Sequence, residues 1–249
     1  MTLNNFNLYT EENIHPGFSV DCVIFGFHKG KIKVLLRKFD LEDYWSLLGG
    51  FMFNQENADQ AAHRVLEFHT GLKNIFLKQF HLFSNPNRTN ITQNMDYVNK
   101  NATPDNDGKW LLRRFISMGY YALVKYENVK LPLSPDETLK WYDIQKLPHL
   151  QSDHKNIIET ALIMIRSMLP LIPIGYELLP EKFTMTELRK IYEIILGKTL
   201  DRRNFQRKTL SEGRVIQLNE TVSGKTYNPP ILYTFISPDA YIYDKELED

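Results

Sequence analysis

The chain has 249 residues, 43% apolar and 24% charged, with 30 basic residues balanced by 30 acidic ones. That length builds one large domain or two modest ones, and zero net charge excludes a global pull toward nucleic acid or an anionic membrane, so any such preference has to be local. A lone cysteine, Cys22, excludes an internal disulfide; no apolar run reaches membrane-span length, and the N-terminus lacks a basic n-region and an apolar h-region, which points to a cytoplasmic protein with no membrane partner.

In chain order, GFSVDCVIFGFHKGKIKVLLRKF reads as two β-rich runs joined by a hairpin turn at Gly30, with Cys22 a buried thiol in the first. YWSLLGGFM is a short strand ending in a Gly-Gly bend. NADQAAHRVLEFHTG then predicts a helix whose apolar face comprises Ala61, Ala62, Val65, Leu66 and Phe68, stopped by Gly71. Two further β-like runs, IFLKQFHLF and ISMGYYALVKY, flank the stretch from Ser84 to Arg114. That stretch is rich in Asn, Asp and Thr and too long for an ordinary connection, so it reads as disordered at its centre, or else as a functional loop. TLKWYDIQKLP is strand-like, and DHKNIIETALIMIRSML is a strongly apolar helix. This order argues for an α/β or α+β first domain over residues 1–170.

PLIPIGYELLPEKF, with three prolines and a glycine, marks a boundary, and a second domain is expected over residues 176–238. TMTELRKIYEIILGK opens with a capping box, Thr184 and Glu187, and places Leu188, Ile191, Tyr192 and Ile195 on one helical face. LDRRNFQRKTLSEG has Asp201 as N-cap, Leu200 and Phe205 as a hydrophobic staple, and Gly213 at its end. VIQLNETVSGKTYNPPILYTFI follows as two strands around a Ser-Gly turn. Helix, helix and hairpin is the plan of a winged helix-turn-helix.

Lys198 to Arg214 holds six basic residues against two acidic ones, a local net of +4 in a neutral chain. With Phe205 turned to the core, Arg202, Arg203, Asn204, Gln206, Arg207 and Lys208 are expected outward, where arginine and amide side chains contact base edges and basic ones meet phosphates. The turn VSGKTY would be the wing, with Lys225 reaching the backbone. The expected partner is double-stranded operator DNA; a solvated basic face is the plainer alternative.

Gly50, Glu56, Arg64, Leu66, Gly71 and Leu72 stand in the register G-x5-E-x7-R-E-U-x-E-E-x-G-U, and the segment resembles the Nudix box. The resemblance covers about the first two thirds of the chain, and it implies an α/β/α sandwich with a mixed sheet. Gly50, Glu56, Arg64 and Gly71 are carried over as structural residues, Glu56 and Arg64 as a pair tying loop to helix. The three box glutamates, which share a helix face and hold magnesium or manganese against a diphosphate, are replaced by Val65, Phe68 and His69. Diphosphate hydrolysis is therefore expected to be absent, with no metal, no cofactor and no catalytic residue assigned. The competing expectation is a Nudix hydrolase acting on a nucleoside-diphosphate-type substrate, in which Asp59, Glu67 or Asp143 would have to converge.

A Nudix-like domain followed by a winged helix resembles the Nudix-related transcription regulators. DCVIFGF, WSLLGGF, RVLEFHTGL, PIGYELLPEKFT and DRRNFQRK look most like their arabinose-responsive branch. That resemblance implies an effector-binding rather than a cleaving domain, and a homodimer on a palindromic operator. The effector would be a sugar such as arabinose, or an ADP-ribose-like metabolite. Arg37, Lys38, Trp45, Phe68 and His69 are the candidate effector residues, by their place near the former catalytic pocket.

Overall fold

The computed structural model describes residues 9–40, 42–73, 75–103, 107–129, 137–169, 175, 178–222 and 227–236. By packing, the chain divides into two units, Met1–Met164 and Ile165–Asp249.

The first unit is built on a six-stranded mixed sheet. Strand β1 (Ile14–His28) turns through Lys29 and Gly30, both at positive φ, into antiparallel β2 (Lys31–Phe39). Two consecutive left-handed residues match the right-handed twist of the flanking strands, so the hairpin stands where the sequence puts it. The N-terminal half of β1 also pairs antiparallel with β3 (Leu48–Phe53), with a register shift between Ile14 and Ser19 that encloses Gly17 at φ 72. On its other side β1 runs parallel to β5 (Ile116–Lys125), whose far edge carries β4 (Lys78–Phe83); β6 (Glu137–Asp143) closes the opposite edge against β2. Flanked on both sides and covered on both faces, β1 is buried from Val20 through Phe25, which explains its near-continuous apolar run.

Alternation along β1 sends Val20, Cys22 and Ile24 to one face, into a core with Ala61, Ala62, Val65 and Leu66 of helix α1 (Ala58–Thr70). Cys22 is fully buried and burial pushes its thiol up, as a packing residue requires. Helix α1 begins with a capping box between Asn57 and Gln60 and ends at Gly71, φ 68, whose N–H donates to the Glu67 carbonyl. One expectation fails here: Phe68 is half exposed, and it is His69 that lies on the buried face. The buried positions recur as adjacent pairs four residues apart, 61/62, 65/66 and 69/70, so His69 continues the inward stripe while Phe68, about 100° before it, falls outside. The opposite face of the sheet presents Asp21, which meets His154 at the start of helix α3 (His154–Met168); Ile157, Ile158, Ala161 and Ile165 of α3 are buried.

The stretch from Ser84 to Arg114 is not structureless. It contains helix α2 (Ile91–Asn101) and a 3-10 turn at Lys109–Leu112, around residues 104–106 that lie outside the described set. The helix is polar and only Val98 is buried, so periodicity gives little sign of it. Tertiary hydrogen bonds hold it: Asn90 N–H donates to Ser152 Oγ (3.1 Å), Ser152 N–H to Gln93 Oε1 (2.9 Å), and Asn94 Nδ2 to the Leu111 carbonyl (2.8 Å).

In the second unit, β7 (Phe183–Thr184) leads into α4 (Met185–Leu196), α5 (Arg202–Ser211), β8 (Val215–Thr221) and β9 (Ile231–Phe235), with strand order β7-β9-β8. The capping box is formed: Thr184 Oγ1 accepts from Glu187 N–H (3.2 Å), and Thr184 N–H donates to Glu187 Oε2 (2.7 Å). Phe183, Leu188, Val215 and Tyr233 make the core, with Phe205 and Leu210 of α5 packed on it and Phe205 set edge-on to Tyr192, 5.2 Å between centroids. Asp201 caps α5 by accepting from Asn204 N–H (2.8 Å). Together the units make a mixed α/β Nudix-like domain and a C-terminal winged helix. No described helix is long and apolar enough to cross a membrane.

Candidate functional site

Two places carry unspent chemistry, one in each unit. In the first, a cavity of about 170 Å³ opens between β2, β3, α2 and the start of α3. One part of its wall is aromatic: Tyr9, Phe51, Trp110 and Phe115 stack edge to face or tilted, with Phe51 4.8 Å from Trp110. The rest is polar. Asp21, 6% exposed, accepts from the Ser117 hydroxyl (2.6 Å) and stands 3.5 Å from Arg88 Nη2. Arg88 is largely committed, because it also grips Asp153 through Nε and Nη2 (2.9 and 3.0 Å) and donates to the Phe115 carbonyl (3.3 Å). Leu47 N–H donates to His154 Nδ1 (3.0 Å), and burial pushes that imidazole below its ordinary value, so it is neutral as its acceptor role demands.

Arg37 differs from Arg88. Its Nε donates to Ser46 Oγ and the Leu47 carbonyl, both at 3.2 Å, while its terminal nitrogens make no hydrogen bond with a described residue. Glu42, on the same cavity wall, is 7% exposed; its Oε1 accepts from the Tyr44 hydroxyl (3.0 Å), and its buried Oε2 has no partner. Burial raises this carboxyl above the ordinary range, against the opposing pull of Arg37 and the Tyr44 hydroxyl.

Of the candidate effector residues, only Arg37 lines this cavity. Lys38 is its neighbour on β2 and points to the other side of the strand. Trp45 packs edge-on to Tyr142, 4.8 Å between centroids, and Phe68 faces outward. His69 is buried against β6, its Nδ1 2.9 Å from Glu137 Oε1, at ion-pair distance but outside hydrogen-bond geometry. Burial depresses the imidazole. It would raise Glu137, yet His69 and Arg37 beside the carboxylate hold it below the ordinary range. Asp21, Glu42, Arg88, Asn94, Tyr97 and Trp110 escaped sequence reasoning. Asp21 left a signal, a charge inside an apolar strand, which demands buried partners; the others sit in polar segments with no period.

The box residues are held as structure. Arg64 meets Glu56 through Nε and Nη2, Glu56 Oε1 accepts from Phe53 N–H (2.8 Å), and Arg64 donates onward to the Phe51 carbonyl (2.8 Å) and the Tyr9 hydroxyl (3.1 Å). A Cβ at Gly50 would collide with Tyr9 and with Val65 Cγ2. The carboxylates needed for an unorthodox metal site stand apart: Asp59 accepts from Tyr120, Glu67 pairs with Lys73, and Asp143 pairs with Lys31. No group of three metal-ligating side chains occurs among the described residues.

The second place is α5, which has no buried residue. Arg202 and Arg203 are exposed, and neither makes a salt bridge or hydrogen bond with a described residue. Arg207 Nη2 donates to Asn204 Oδ1 (3.1 Å), and Lys208 lies 3.9 Å from Glu212. Gln206 corrects the expected outward set: it is half-buried, and its Nε2 donates to the Tyr233 hydroxyl (3.0 Å), so β9 takes it rather than solvent. Lys225 and the tip of the expected wing lie outside the described residues.

Residues 175–235 match the family described as the NrtR DNA-binding winged helix domain. An ADPR responsive transcriptional repressor of Acinetobacter baylyi is 27% identical over 232 residues, spanning 90% of this chain and 84% of that protein. Shewanella oneidensis NrtR, solved with a 27mer DNA, superposes with a TM-score of 0.68 at 24% identity, over 90% of this chain and 95% of that one. A MutT/nudix family protein from Enterococcus faecalis gives a TM-score of 0.62 at 21% identity, over 90% and 89%. These two share the fold.

Proposed function

We propose that this chain, a Nudix-like domain followed by a winged helix of the NrtR type, is a transcription repressor that grips duplex DNA through α5 and binds a small effector in its first unit without hydrolysing it. The observation that carries the DNA reading is the exposed pair Arg202 and Arg203 at the N-terminal end of α5, without a hydrogen bond or ion pair to any described residue, where a recognition helix meets the major groove. The match of residues 175–235 to a DNA-binding winged helix supports it. Binding without hydrolysis rests on Val65, Phe68 and His69 in place of the box carboxylates. The protein acts as a homodimer on a palindromic site, and the effector shifts DNA affinity by binding one arrangement of that dimer better than the other.

ADP-ribose is the first candidate effector, by likeness to the Acinetobacter baylyi repressor. A free sugar is the second reading, and two features of the cavity favour it. The volume of about 170 Å³ is below the roughly 300–1,000 Å³ of sites for larger ligands. Of the two guanidinium groups on its wall, Arg88 is largely committed to Asp153, Asp21 and the Phe115 carbonyl, which leaves mainly Arg37 for a ligand, where a diphosphate would call for more positive charge. No relative described above is named for a sugar.

The test is fluorescence anisotropy with a duplex from the region upstream of the protein's own gene, titrated with ADP-ribose and with arabinose. Salt-sensitive binding that one of these releases supports the reading. No duplex binding at low salt, or binding indifferent to Arg203→Ala and Arg207→Ala, overturns it.

A further inference from the structure

Glu42 and Arg37 line the same cavity, and Arg37 acts on the Glu42 carboxyl through its charge, without a hydrogen bond between them. Each is instead anchored at one end. Tyr44 holds Glu42 Oε1, and Ser46 with the Leu47 carbonyl holds Arg37 Nε. What remains is a buried carboxylate oxygen, Glu42 Oε2, with no hydrogen-bond partner, and terminal nitrogens of Arg37 that make no hydrogen bond with a described residue. A bare buried acceptor is costly, and native interiors keep few of them without a use. A hydroxyl both donates and accepts, so a pair of neighbouring hydroxyls meets both needs at once. A phosphate only accepts. It would satisfy Arg37 and leave Glu42 facing a like charge.

We propose that Glu42 is the specificity-determining acceptor of the cavity, taking a hydrogen bond from a hydroxyl of a polyhydroxylated ligand while Arg37 donates to the same ligand. This rests on the cavity being the effector site. The hydroxyls belong either to a free pentose or to a ribosyl group of a larger molecule, and the chemistry is the same in both. The Tyr44 hydroxyl also lies 3.5 Å from the Gln93 carbonyl of α2, so the loop that carries Glu42 touches the helix that forms another wall.

The experiment is calorimetric titration of the full chain and of Glu42→Gln with arabinose, ribose and ADP-ribose, alongside melting of the ligand-free proteins. The expected result is a loss of about tenfold or more in affinity for whichever probe the parent binds, because a charge-assisted bond is removed. The ligand-free variant should melt higher, by roughly 2–4 °C, because it no longer buries a bare carboxylate. A loss on the free pentoses identifies a sugar ligand, and a loss on ADP-ribose alone identifies the ribosyl group. Equal affinities for parent and variant, or a lower melting temperature for the variant, overturn the role of Glu42 and leave the effector reading standing. A parent chain that binds none of the three probes overturns both.

Discussion

Gln206 Nε2 donates to the Tyr233 hydroxyl at 3.0 Å, fastening the middle of α5 to the buried centre of β9. A residue with base-reading chemistry is thereby committed to holding the helix that carries Arg202 and Arg203. Gln206→Ala should lower stability by about 1 kcal/mol, the worth of one net hydrogen bond, and leave the preference among duplex sequences unchanged. Denaturant melts and anisotropy against a panel of single-base variants check this together.

Arg203→Ala should weaken every duplex to a similar degree if its partner is a phosphate, reducing the salt slope of log K by about 1. A loss confined to one base position would instead assign it to a base edge, with a discrimination of about 1–3 kcal/mol. Titrations at several salt concentrations separate the two.

Arg64 is joined to Glu56, the Phe51 carbonyl and the Tyr9 hydroxyl, and lies over the Phe53 ring at 4.2 Å. Arg64→Ala should cost about 2–3 kcal/mol, because it strips a largely buried carboxylate of its partner. Arg64→Lys should recover little of this, since a point charge cannot span the fork. The readout is the urea midpoint of the ligand-free protein.

The three altered box positions should respond differently to restored carboxylates. Phe68→Glu, on an exposed site, should change stability by less than about 0.5 kcal/mol. Val65→Glu buries an unpaired charge in the core and should cost more than about 3 kcal/mol. His69→Glu sets a carboxylate against Glu137 and should also destabilise. Thermal melts of the three single variants test the order.

Burial depresses both His69 and His154, so the unfolded chain binds more protons than the folded one once the pH drops below about 6.5. The stability each contributes is complete above that value and is lost as the pH falls through the folded-state value. The slope approaches about 1.4 kcal/mol per pH unit for each group while only the unfolded form is charged. Protonating His154 Nδ1 would also remove the acceptor of the Leu47 N–H. His154→Asn, which can keep an acceptor there, should flatten part of the acid dependence. Denaturant midpoints between pH 7.5 and 5 measure it.

The parts of the fold legible in the sequence are those governed by local pattern. The Lys29-Gly30 turn, the Thr184 capping box, the Asp201 cap and the Gly71 stop all follow from residue types at fixed offsets, and all are formed. The cavity was not legible, because its walls are assembled across long separations. Ser152 pins Gln93 and Asn90, Asp153 and Asp21 bracket Arg88, and Tyr44 reaches α2. Residue type misleads at Phe68 and His69: the period set by 61/62 and 65/66 continues to 69/70, so the polar histidine is buried and the aromatic is exposed. On α5 the exposed basic residues were readable, and the inward turn of Gln206 depended on a tyrosine 27 residues away.

Gly50 and Val65 press together so closely that even a methyl group on the glycine would collide with the valine. The glycine makes room for a hydrocarbon here. Position 65 has become interior, and a carboxylate returned to it would have to displace packed side chains before it met a metal ion. As long as Gly50 and Val65 stay packed, shape alone keeps charge out of this part of the wall.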